Sequence, residues 1–208
     1  MEGIRNYEAF VIAAIALNIT PGSDSIFILS RSIAQGRKAG IISALGIGTG
    51  ALTHTLLAGL GLSVIVAKSI LVFNVIKYAG IAYLIYVGMK MILGQNGLAL
   101  PDDKSRQSGL IVIYRDAYLT NLLNPKITLF FLAFLPQFID PADQGNAMPF
   151  IILGLTFSAT GTIWCILLAY FADKVFVRFR KNQKSFGVIN KCCGAILVSL
   201  GLFTCFSN

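Results

Sequence analysis

Apolar residues gather in six long stretches of this chain, 7 to 30, 39 to 66, 69 to 93, 111 to 139, 148 to 172 and 186 to 206, with polar and charged residues between them. A hydrocarbon core of about 30 Å takes about 20 helical residues, so each stretch predicts one membrane-spanning helix. Two of the six are interrupted. "ITPGS" breaks the first at Pro21 and "LNPK" breaks the fourth at Pro125, whereas the other four run through. Proline removes a helical hydrogen bond and clashes with the previous turn, and glycine is about 1 kcal/mol less favourable than alanine. The predicted fold is an all-α integral membrane protein, six transmembrane helices in one domain spanning residues 1 to 208.

The two breaks lie 104 positions apart, half of the 208 residues. Each half, about 7 to 93 and about 111 to 206, holds three spans, a break in its first span, and spaced glycines in its third: "AGIAYLIYVG" at 79 to 88 and "CGAILVSLG" at 193 to 201. Three spans per half force the second half to enter the membrane from the opposite side. Two inverted three-helix repeats are therefore expected, and interrupted apolar segments at matching positions point to a transporter's binding site.

Charge gives the orientation. Arg31, Arg37 and Lys38 follow span one; Lys90, Lys104, Arg106 and Arg115 follow span three; Lys174, Arg178, Arg180, Lys181, Lys184 and Lys191 follow span five. Only Arg5 and Lys68 lie in connections on the other side, where "DPADQGN" is acidic. Basic connections stay in the cytoplasm, so both termini are expected outside it. The composition agrees: 56% hydrophobic, 12% charged and a mean hydropathy of +0.75, with fewer charges than the roughly 25% of a soluble domain. The net charge of +8 is spread over short clusters rather than one soluble face, which argues against a nucleic-acid partner. "AIA" at 14 to 16 mimics a signal-peptide cleavage site, but Glu2, Arg5 and Glu8 do not make a positive leader, so residues from 7 onward are expected to be retained. Cys165, Cys192, Cys193 and Cys205 all fall in the second half without a C-x-x-C. They read as small packing residues rather than as a metal set or a redox pair.

Each break reads as a helix start. Thr20 is a good N-cap with Pro21 in the first helical position, and Asn124 and Pro125 repeat the arrangement. A helix start carries free N–H groups and about half a positive charge, so two of them at membrane depth suit a carboxylate. Unwound backbone there needs surrounding protein or a water-filled cavity. The candidate substrate-binding residues are Asn18, Thr20, Pro21, Gly22, Ser23 and Asp24 at the first break, with Asn121, Asn124, Pro125 and Lys126 at the second. Asp24 and Lys126 are ionisable at membrane depth, where function is the default reading and an ion pair locking the halves is the plainer one. His54, the single histidine, is a candidate proton carrier beside Asp24, or a histidine bonded to a neighbouring helix. Lys77 reads as a snorkelling residue. Gly46, Gly48, Gly50, Gly59 and Gly61 in span two predict close helix contact.

With "TPGSD", "AYLIYVG", "TNLLNPK" and "FLPQF" in order, the chain resembles the LysE/RhtB family of bacterial amino-acid exporters from about residue 10 to 204. Members of that family usually carry a second proline where Ser23 stands. The resemblance implies a transporter rather than an enzyme. It implies efflux of amino acids or close analogues, driven by the proton gradient, with no cofactor and no bound metal. The expected partners are an amino acid, protons and the lipid bilayer, with a homo-oligomer left open. The alternatives from the residues alone are an exporter of another small solute or a metal cation, or an ion channel.

Overall fold

A computed structural model of the chain describes residues 3 to 62, 108 to 143 and 145 to 172, and separate residues within 71 to 93 and 188 to 202. Lys77, Cys193 and Cys205, most of the third and sixth predicted spans, and most of their basic flanks lie outside the described residues. What is described is helical: α1 (Tyr7–Ile19), α2 (Ser23–Leu57), α3 (Leu110–Leu122), α4 (Pro125–Leu129) and α5 (Ala147–Tyr170). A π turn, Ala58–Leu62, prolongs α2, and α4 runs on through a π turn, Phe130–Phe134, and a 3-10 turn, Leu135–Phe138. Among the described residues extended pairing is limited to one isolated antiparallel bridge, Ile4 with Ile139.

Both predicted breaks are present, and local covalent rules explain them. A residue before proline is pushed out of the α region. Thr20 sits at φ −59°, ψ 119° and Asn124 at φ −74°, ψ 111°, so α1 ends before Pro21 and the run through α3 stops before Pro125. Across the second break, Leu110–Leu122 and Pro125–Phe138 meet at a 45° bend.

The first and second predicted spans join differently from the expected loop at residues 31 to 38. Helix continues through that stretch, broken only at Gly36, whose φ of 82° and ψ of 174° suit a residue without a Cβ. The break reverses the chain. A Cβ on Gly40 would collide with Ser32 Oγ, and Ile28 shares a packed cluster with Ala44 and Ile47. Residues so far apart in a straight helix would be separated by roughly 25 Å at 1.5 Å per residue. The arms 23 to 35 and 37 to 57 therefore lie side by side.

Two buried clusters hold the elements together. Phe10 and Leu17 of α1, Phe130, Phe134 and Phe138 after α4, and Phe150 and Phe157 of α5 form the first, with Phe130 and Phe157 stacked at 4.4 Å. Ile28, Ala44 and Ile47 of α2, Ala117 of α3, and Cys165, Leu168 and Ala169 of α5 form the second. Lipid is as apolar as these side chains, so the association depends on close packing. Gly46 and Gly50 supply it: a Cβ on Gly46 would lie 2.5 Å from the Tyr114 carbonyl oxygen, which brings α2 onto α3. The expected close contact also holds at Gly48 and Gly59, while nothing lies within 4 Å of a Cβ on Gly61. Ile12, Leu56, Leu60, Ile111 and Leu123 are more than half exposed on the outside, the apolar surface a bilayer requires.

The arginine contacts fall at two opposite ends. At one end, Arg31 approaches Asp116 at 3.9 Å and Ser108 Oγ at 3.3 Å, and Arg37 lies over the Tyr170 ring at 4.1 Å. At the other, Arg5 pairs with Asp140 at 2.8 Å, and the Arg5 amide donates to the Phe138 carbonyl. Among the described residues, Arg31 and Arg37 thus lie at one end and Arg5 at the other, the two sides on which the charge pattern of the sequence puts them.

Candidate functional site

A cavity opens between the two apolar clusters, where the two breaks meet. Its empty volume, counting the part open to solvent, is about 410 Å³. Asn18 and Thr20 end α1; Asp24 and Ser25 begin α2; Asn121 ends α3 and Lys126 begins α4; all six line it. The opposite wall belongs to Ile47, Gly48 and Ala51 of α2 and to Phe157, Ser158, Gly161, Thr162 and Cys165 of α5.

The second break grips the first. Asn121 Nδ2 donates to Asp24 Oδ2 at 2.8 Å and Asn124 Nδ2 donates to Asp24 Oδ1 at 3.0 Å, one carboxamide from each side of the bend. Asn121 is 2% exposed, and its Oδ1 is a buried acceptor with no partner among the described residues. Lys126 reaches the other way, donating from Nζ to the carbonyls of Leu17 at 3.2 Å and Thr20 at 3.1 Å. Those carbonyls end α1, the negative pole of its dipole, so the ammonium is held where the helix favours a cation. The same Nζ would stand 3.4 Å from a Cβ on Gly22, directly before α2. A cation and a helix N-terminus thus flank one point, and both attract an anion. A carboxylate, Asp24, stands beside them to attract a cation. Charges of both signs at membrane depth, each held by polar groups of the other break, suit a zwitterion.

The capping details differ from the sequence expectation. Thr20 does not open α2: its hydroxyl donates to the Ala16 carbonyl at 2.7 Å, which closes α1. The N-cap of α2 is Gly22, so Pro21 precedes the cap instead of occupying the first helical position. At the second break Asn124 does cap α4 and Pro125 stands at its start, with Asn124 Oδ1 accepting from the Lys126 amide at 3.0 Å. That start keeps no free amide. Pro125 has none, and the Ile127 and Thr128 amides both bond to the Asn124 carbonyl. Only the α2 start, with Asp24 in its first turn, presents its N-terminus to the cavity, and the second break contributes carboxamides and an ammonium instead.

Of the predicted residues, Asn18, Thr20, Asp24, Asn121 and Lys126 line the cavity, while Pro21, Gly22, Ser23, Asn124 and Pro125 frame it. Asn18 donates to the Phe157 carbonyl and to Thr160 Oγ1, tying the end of α1 to α5. Ser23 donates to Asp24 Oδ1 at 3.3 Å. His54 stands behind the cavity, 7% exposed, stacked on Phe131 at 5.5 Å beside the Asn121 and Leu122 carbonyls. Its Nε2 has no partner among the described residues. Sequence reasoning missed Ser25 and the whole α5 wall. Ser158, Gly161, Thr162 and Cys165 recur at i, i+3, i+4 and i+7, one helical face, and that spacing of small and polar residues in an apolar helix was the available signal.

Comparison with known proteins gives the family of the chain. The family described as LysE type translocator matches residues 15–207. The chain is 34% identical over 204 residues to the uncharacterized membrane protein YrhP of Bacillus subtilis, spanning 94% of this chain and 96% of that one. It is 28% identical to the uncharacterized membrane protein PA4757 of Pseudomonas aeruginosa, spanning 96% and 94%. It is 30% identical over 194 residues to the homoserine/homoserine lactone efflux protein of Salmonella typhimurium, spanning 93% and 92%. No solved structure matches the chain significantly.

Proposed function

Because the chain belongs to the LysE type translocator family and is a membrane exporter, we propose that it moves amino acids or close analogues out of the cytoplasm in exchange for protons. One observation carries the substrate class: Asp24 and Lys126 line the same cavity, the carboxylate held by two carboxamides and the ammonium held beside the α2 start. A zwitterion would place its carboxylate between Lys126 and the α2 amides and its ammonium at Asp24. The efflux protein of Salmonella typhimurium, named for homoserine and its lactone, is consistent with that class.

Asp24 and His54 are the proton carriers in this reading. Asp24 is the ionisable acid of the cavity, and His54 lies one turn beyond Ala51 on the same wall, against the carbonyls that end α3. The two broken spans form the moving parts, since each joins a rigid segment to a short one through two or three non-helical residues. The basic end, with Arg31, Arg37 and Arg115, faces the cytoplasm and both termini face outward.

Efflux from preloaded cells tests the function. Overexpression should speed loss of at least one amino acid across a broad panel and raise tolerance to toxic analogues. No effect on any member of the panel would move the substrate to another class of solute. Thiol labelling of single cysteines introduced at 97 to 108 and 141 to 146 tests the orientation, and labelling of both from outside intact cells contradicts it.

A further inference from the structure

Most hydroxyl groups in the described helices follow one habit; Ser32, whose buried hydroxyl near the Gly36 reversal has no partner among the described residues, departs from it, and so does the cavity wall. In an apolar helix a serine or threonine hydroxyl closes onto the carbonyl four residues back. Thr20, Ser43, Thr49, Thr53, Thr55, Thr120, Thr128, Thr156 and Thr160 all do so, at 2.7 to 3.1 Å. Ser158, on the cavity wall, shares its hydroxyl with Thr55 at 3.2 Å. Thr162 and Ser25, both lining the cavity, have no hydrogen-bond partner among the described residues. A hydroxyl left open inside a membrane protein is unfavourable unless something else meets it. Asn121 Oδ1, a third polar group on the same cavity, is buried and unmet as well.

Position separates the two open hydroxyls. Ser25 stands next to Asp24, at the charged end. Thr162 stands on the far wall, among Phe157, Gly161 and Cys165, where no lining residue is charged. Its Oγ1 faces Gly48, where a Cβ would lie 2.5 Å away and the Thr162 methyl 3.4 Å away. Glycine at 48 is what lets Thr162 keep its place at the wall.

We propose that Thr162 is a specificity-determining residue: its hydroxyl reads the side chain of the transported amino acid, and Gly48 sets the room that side chain is given. The role rests on the zwitterion reading of the cavity, because a substrate with its charged end at Asp24 and Lys126 directs its side chain at α5. Thr162 then favours a short side chain that carries a hydrogen-bonding group over an apolar one of equal size.

The test is efflux of near-isosteric pairs, threonine with valine and serine with alanine, from cells or vesicles holding the full chain. Thr162→Val should lower the polar-to-apolar ratio of efflux efficiency by about 3- to 10-fold, the size of one neutral hydrogen bond. Thr162→Ser, which keeps the hydroxyl, should hold the parent ratio, and Thr162→Ala should lower it, so the comparison survives the loss of any one variant. Gly48→Ala, by pressing Thr162 into the cavity, should cut efflux of longer side chains more than that of alanine. Equal ratios in the parent, Val, Ser and Ala forms overturn the role of Thr162 while leaving amino-acid export standing. A parent that exports no amino acid removes the zwitterion reading and this role with it.

Discussion

Replacing Gly50 with alanine probes the assembly of the site without touching a charge. A Cβ at that position would fall 2.7 Å from Asn121 Oδ1, 2.9 Å from its Cβ and 3.1 Å from its Cγ. The Asn121 side chain must move, and its 2.8 Å bond to Asp24 moves with it. Overpacking a close helix contact costs about 1–3 kcal/mol, and losing a hydrogen bond to a charged group about 1.5–3 kcal/mol. The better helix propensity of alanine returns about 1 kcal/mol. The net expectation is a loss of about 1.5–5 kcal/mol, or about 3 to 20 °C in the melting temperature of a protein this size. Gly61→Ala is the control, because nothing lies within 4 Å of a Cβ there, and it should be neutral or stabilising by up to about 1 kcal/mol. Melting curves of detergent-purified variants, with efflux assays beside them, read both effects. A Gly50→Ala protein as stable and as active as Gly61→Ala would refute the packing of Asn121 against α2 and its hold on Asp24.

Three further outcomes follow from the same geometry. Asp24→Asn and Lys126→Ala should each abolish export while membrane insertion persists; if the two serve only as a structural pair, replacing both with packed apolar residues should restore export, since removing a buried pair together is often nearly neutral. Pro21→Ala lets α1 continue past Thr20 and draws its carbonyls away from Lys126, so binding of an amino acid should weaken about 2- to 30-fold more than binding of its amide, with equal weakening counting against a carboxylate seat. At the end that holds Arg5, the Ala142 amide first and Arg5 second hold the Asp140 carboxyl below the usual carboxylate range. Its stabilising contribution is therefore present above about pH 4, the unfolded value, and lost as pH falls through the lower folded value. The stability gap between the parent and Asp140→Asn should close on acidification below about pH 4, and a gap that does not change with pH would contradict the assignment.

The parts of the structure legible in the sequence are those governed by local covalent rules or by composition. A proline forces the residue before it out of the helix wherever it stands, so the breaks at Thr20 and Asn124 needed no tertiary information. Charge placement likewise put Arg31 and Arg5 on opposite sides, and they lie at opposite ends, Arg31 near Asp116 and Arg5 against Asp140. Competition between local partners was not legible. Thr20 can cap the next helix or close its own, and it bonds to Ala16 because α1 runs up to it in helical geometry. Gly36 reverses the chain within a single residue, whereas a stretch holding Arg31, Arg37 and Lys38 reads as a loop. The α5 wall was missed for a different reason. Small residues at helical spacing serve packing in most membrane helices, and only the partners of their hydroxyls distinguish Thr162 from Thr160.

Export against a concentration gradient, powered only by protons, is the central claim. Purified protein in sealed liposomes, with equal amino acid on both sides and an imposed pH gradient, measures it directly. The account predicts accumulation on the acidic side, abolished by a protonophore and absent with Asp24→Asn. Movement that only equalises concentrations, with no response to the pH gradient, would mean a passive pore or a different driving ion and would contradict proton exchange at this site.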